Sequence, residues 1–123
     1  MAASGELIEF LKEQMSGLGP VSVRRMFSGA GFFHDGLMFA LVADDVLYLK
    51  ADETSRGFFE AEGLEAFSYA TGNGRNTIMS FRRAPERCFD DPDNMTEWCR
   101  LAFEAALRAG ASKSKKEKPK SGA

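Results

Sequence analysis

Residues 37–50, Leu-Met-Phe-Ala-Leu-Val-Ala-Asp-Asp-Val-Leu-Tyr-Leu-Lys, hold two apolar runs separated by Ala43-Asp44-Asp45. Aspartate tolerates the left-handed backbone of a tight reversal, so the segment predicts a β-hairpin with strands over 37–42 and 46–50. In the second strand Val46, Tyr48 and Lys50 fall on one side, and Leu47 and Leu49 on the other. The first run has no polar alternation. It predicts a central strand covered on both faces, or one covered by a partner.

Reading outward toward the N-terminus, Phe32-Phe33 and the stretch Val21–Ser28 predict two further strands, with the reversal at Gly29-Ala30-Gly31. Before them, Glu6–Ser16 carries Leu7, Leu11 and Met15 on one stripe and Glu6, Glu9 and Glu13 on another. This is a helix pattern, with Ser4 as N-cap and Gly17, Gly19 and Pro20 as its end. Toward the C-terminus, Asp52 is placed to cap a short helix over 53–62 that turns Phe58 and Phe59 inward and stops at Gly63. Phe67–Tyr69 and Thr77–Phe81 predict a second hairpin across Thr71-Gly72-Asn73-Gly74. Asp91-Pro92 then opens a last helix, because proline at the first helical position forfeits no hydrogen bond. Met95, Trp98, Cys99, Ala102 and Ala106 form its inner face, and Gly110 is its expected end. The fold class is therefore α+β, with a mainly antiparallel sheet in one layer and flanking N- and C-terminal helices in the other. One domain is expected over 1–110, followed by a disordered lysine-rich tail over 111–123, where no residue has an apolar side chain larger than alanine or proline.

The 123-residue chain is 44% hydrophobic and 28% charged, with 11 phenylalanines, which supplies a core without metals or disulfides. Its net charge of −2 is unevenly spread. Five lysines against Glu117 leave the tail at +4, so the body carries −6. An acidic body argues against nucleic-acid binding as the main role, since phosphate recognition relies on a positive folded surface. The N-terminal residues have neither the basic flank nor the apolar stretch of a leader, and no apolar run is long enough to span a bilayer. A cytoplasmic protein without membrane contact is expected.

Chemistry is sparse. Cys88 and Cys99, eleven positions apart, match neither a zinc pair nor a redox motif and are expected as buried thiols. His34, the one histidine, reads as a turn residue. Gly29-Ala30-Gly31 and Gly72-Asn73-Gly74 begin like a dinucleotide fingerprint, but His34 and Thr77 stand where its third glycine belongs. No catalytic, metal or cofactor residues are assigned, and the chain is expected not to be an enzyme. Two arginine doublets remain, Arg24-Arg25 and Arg82-Arg83, each beside aromatic or methionine neighbours. Guanidinium groups grip carboxylates or phosphates through paired N–H donors, so these four are the candidate contacts for a protein partner or, less favoured, a nucleic acid. The uncovered apolar strand also leaves a homodimer open.

These blocks together resemble the TfoX N-terminal domain family. Arg24-Arg25-Met26-Phe27-Ser28-Gly29 is similar to that family's opening motif, Leu37–Asp52 to its central hairpin, Met79–Glu86 to its later strand and turn, and Trp98–Ala102 to its terminal helix. The resemblance runs from about Leu7 to Ala109. It implies a secretion-chaperone-like two-layer fold in a stand-alone version of the domain. It also implies a regulatory role connected with natural competence in bacteria, exercised through an unidentified partner and without catalytic residues.

Overall fold

The computed structural model describes residues 5–26 and 29–122. Helix α1 (Gly5–Gln14) and a 3-10 turn (Ser16–Leu18) precede strands β1 (Ser22–Met26), β2 (Gly29–His34), β3 (Leu37–Ala43) and β4 (Val46–Lys50). Then come α2 (Arg56–Ala61), β5 (Ala66–Thr71), β6 (Gly74–Arg83), α3 (Arg87–Asp90) and α4 (Pro92–Gly122). The six strands form one antiparallel sheet in the order β1-β2-β3-β4-β6-β5. The α+β class, the antiparallel sheet and the flanking helices are thus as expected from the sequence. The predicted N-cap Ser4, and Phe27 and Ser28 of the first predicted strand, lie outside the described residues.

The expected hairpin closes on two residues. Ala43 pairs with Val46, and Asp44 and Asp45 take positive φ of 51° and 62°, the pair of left-handed residues that matches the twist of the flanking strands. Leu47 and Leu49 are buried while Tyr48 between them is only half-buried, so β4 alternates as its sequence requires. β3 does not alternate, and the pairing shows why. Phe32 pairs with Ala40 but Phe33 with Met38, which leaves Phe39 as an additional residue on β3. Such a bulge breaks the strand's alternation, and here Phe39 and Ala40 are both fully buried.

Helix α4 lies over β3 and β4 and closes the core. Leu11 and Met15 from the N-terminal stripe, Phe32, Val42, Leu47, Leu49 and Phe59 meet Met95, Trp98, Cys99, Ala102 and Ala106 there. Phe32, Phe39 and Phe59 are each inaccessible to solvent, and burial of each side chain stabilises by about 1.5–3 kcal/mol. Asp91 caps α4 as the sequence predicts, accepting from the backbone N–H of Asp93 at 3.0 Å. Gly63 ends α2 with φ of 68°, its N–H bonded to the Glu60 carbonyl.

Four details depart from the sequence reading. Gly29, Ala30 and Gly31 do not form the bend; they are the first half of β2, and the reversal falls between Met26 and Gly29, which pair. Glycine at 29 is required by proximity, because a Cβ there would run into the Val42 carbonyl oxygen of the neighbouring strand. Only Phe59 of the Phe58-Phe59 pair turns inward, since Phe58 is 58% exposed. α2 has six residues and starts three later than predicted, for Asp52 and Ser55 close a turn of their own before it: Ser55 N–H donates to Asp52 Oδ1 and Asp52 N–H to Ser55 Oγ. Finally, α4 runs past Gly110 to Gly122. A glycine costs a helix only about 1 kcal/mol relative to alanine, so Gly110 does not by itself end α4.

Candidate functional site

The pleat of a strand sends neighbouring side chains to opposite faces, and this divides both arginine doublets. Arg24 pairs with Gly31, Gly31 with Leu41, Leu41 with Tyr48, and Tyr48 with Arg83. Arg24 and Arg83 therefore share the sheet face turned away from α4, at opposite ends of one row. Arg25 pairs with Ala30 and Arg82 with Leu49, both core residues, which puts Arg25 and Arg82 on the helix side.

Arg82 is a structural residue. It is 6% exposed, donates from Nη2 to Glu60 Oε2 at 3.1 Å and from Nη1 to the Leu64 carbonyl at 3.2 Å, and so fastens α2 and the chain after it to β6. Its Nε has no partner among the described residues. Arg83 faces outward and pairs loosely with Glu65 at 3.5 Å. The four arginines do not converge, and two of them are left on a common surface.

That surface is apolar as well as basic. Phe33, Met38, Leu41, Tyr48 and Phe67 are half-buried, and none of them belongs to the core that the helices close. Tyr48 and Phe67 pack ring against ring at 4.9 Å. Arg24 lies over the Phe33 ring at 5.6 Å and Lys50 over the Phe81 ring at 5.2 Å. Among the described residues neither cation is paired with a carboxylate. Lys50 has no part in the arginine motif and was missed as a site residue, although the alternation of β4 already put it beside Tyr48.

Two arginines of the helical layer are, by contrast, matched. Arg108 of α4 grips Asp52 through Nε and Nη2 at 2.6 and 3.0 Å, and these hydrogen bonds, more than the raising effect of burial, hold the Asp52 carboxyl below its usual range. Arg87 does the same to Glu62 at 2.7 and 2.5 Å, lowering the Glu62 carboxyl, and lies over Trp98 at 5.5 Å. Both cysteines are free and buried as expected. Burial pushes the Cys88 thiol up to about 12 and the Cys99 thiol higher still, so neither supplies a thiolate. His34 is not a turn residue: it ends β2, its Nδ1 donates to the Pro20 carbonyl at 2.7 Å, and its ring meets the Phe103 edge.

Among the described residues no group of three His, Cys, Asp or Glu side chains is arranged to hold a metal ion, and no helix is long and apolar enough to cross a membrane. A groove of about 280 Å³ runs between the Asp45 turn, the end of β6 and α3, lined by Val46, Leu47 and Phe89 with Asp45, Arg83, Glu86 and Asp90.

An antiparallel sheet with a helical layer on one side and a half-buried, basic and apolar face on the other defines a two-layer α+β domain. The pattern that describes the TfoX N-terminal domain matches residues 13–106, and the chain belongs to that family. No curated protein matches it.

Proposed function

We propose that the chain is a non-enzymatic regulatory module that acts in the bacterial cytoplasm by presenting the outer face of its sheet to a protein partner, as a relative of the competence regulators. The observation that carries this reading is the row Arg24, Gly31, Leu41, Tyr48 and Arg83 with its half-buried apolar neighbours, because contiguous apolar surface outside the core marks an interaction site. The ionisable groups elsewhere support it. The Asp52 and Glu62 shifts are accounted for by ion pairs and the thiol shifts by burial, so each has a structural cause.

The nucleic-acid alternative would draw on Arg24 and Arg83 and the lysine tail. Against it, the Phe33 and Phe81 rings already have cations above them and Tyr48 packs on Phe67, so the ring faces on which bases would stack are engaged. The immobilised full chain, exposed to native cytosol, is expected to retain a discrete protein that a Leu41→Glu variant with an unchanged urea midpoint loses. Retention of nucleic acid instead, declining steeply with salt, would refute the proposal.

A further inference from the structure

The charge on the outer face specifies what covers it. The body of the chain is acidic, and Arg82, Arg83, Arg87 and Arg108 each have a carboxylate within reach. Arg24 and Lys50 are held by rings instead. Their heads stand above β2 and β6, three strand spacings or about 14 Å apart. Between them lie Met38 and Leu41, both half-buried.

We infer that this face docks an acidic amphipathic protein segment, with apolar side chains on Met38, Leu41 and Val46 and carboxylates meeting Arg24 and Lys50. The inference rests on the interaction reading above and names the partner's chemistry. A second copy of the chain is disfavoured by the same charges, since two such faces related by a two-fold axis bring like cations together. A segment bearing carboxylates would replace a cation's ring contact with a charge-assisted hydrogen bond while covering the aliphatic centre.

The test is selection of a random twelve-residue peptide library on the full chain. Peptides rich in Asp or Glu with Leu, Met or Phe are expected, and the affinity of the best should fall about tenfold in each of Arg24→Ser and Lys50→Ser, the loss of one charged hydrogen bond. Arg25→Ser, on the other side of the sheet, should leave it unchanged, and the urea midpoint of each variant controls for folding. Enriched peptides that are neutral or basic, or that bind both serine variants as well as the parent, would overturn the inference while leaving a protein-interaction module in place. An empty selection with binding of a twenty-residue oligothymidylate would remove both. A concentration-dependent dimer in sedimentation, abolished by Leu41→Glu, would assign the face to a second copy and overturn the inference as well.

Discussion

Arg82 is the member of the two doublets for which the structure makes the sharpest prediction, because two opposed energies of similar size meet there. Replacing it by methionine removes the bonds to Glu60 Oε2 and the Leu64 carbonyl, each worth about 1.5–3 kcal/mol as a hydrogen bond from a charged donor. It also removes a guanidinium that is 6% exposed and whose Nε has no described partner. An unsatisfied buried donor costs about 1–3 kcal/mol, and desolvating the cation costs several more. Glu60, with a side chain 53% exposed, simply returns to water. Arg82→Met is therefore expected to change stability by less than about 1 kcal/mol, as hydrophobic replacements of buried ion pairs do. Glu60→Gln is the opposite case: it keeps the shape but leaves the cation buried against neutral acceptors. A fully buried pair broken in this way loses about 3–5 kcal/mol, and the exposure of Glu60 reduces that to about 1–2 kcal/mol. Urea unfolding followed by the fluorescence of Trp98, which is packed edge-on to Phe59 at 5.1 Å, measures both. A loss above about 3 kcal/mol in Arg82→Met, or a Glu60→Gln protein more stable than the Arg82→Met one, would show that the ion pair is net stabilising and that this reasoning is wrong. Arg82→Met is also expected to leave partner binding intact.

Two further outcomes follow from the structure. The Asp52 carboxyl is held below its ordinary 3.8 chiefly by the Arg108 hydrogen bond, so its contribution to stability is fully present above that value and lost as pH falls through the lowered folded value. Asp52→Asn should therefore be less stable than the parent at neutral pH and lose less on acidification; equal acid slopes in denaturation at a series of pH values would contradict this. Gly29→Ala forces a Cβ into the Val42 carbonyl and is expected to cost about 1–3 kcal/mol, whereas Gly57→Ala, in α2 with nothing within 4 Å, should gain about 0.5–1 kcal/mol. At about 4–8 °C per kcal/mol the two thermal midpoints should move in opposite directions, and a shared direction would refute the close approach of β2 to β3.

The fold was legible where one residue type has one physical use. Paired aspartates at 44 and 45, proline at 92 after a capping aspartate, and glycine at 63 each mark a boundary that the structure keeps. It was illegible where tertiary pairing decides. Nothing local distinguishes Gly29-Ala30-Gly31 as strand from the same residues as bend; the closeness of β2 to β3 does, and that is a contact between strands. The bulge at Phe39 is likewise a property of two strands in register, so a first run without alternation read only as buried. α3 went unseen because four residues are too few to show a helical period, yet it is fixed from outside, by Gln14 Nε2 donating to the Cys88 and Phe89 carbonyls at 3.1 Å.

The candidate site was half legible for a related reason. A doublet of arginines looks like one feature in a sequence, but in a strand it is two, and the pleat assigned Arg82 to packing and Arg24 to the outer face. Lys50, which carries no motif, belongs with Arg24 because both lie over a phenylalanine ring on that face without a described carboxylate. What unites them is the sign of their surroundings. In a body that carries net negative charge, carboxylates on the helix side take up Arg87 and Arg108 in two-pronged pairs. Cations without such a partner on the opposite face keep their capacity for a charged acceptor, and the aliphatic surface between them requires that the acceptor arrive on a chain with an apolar side of its own.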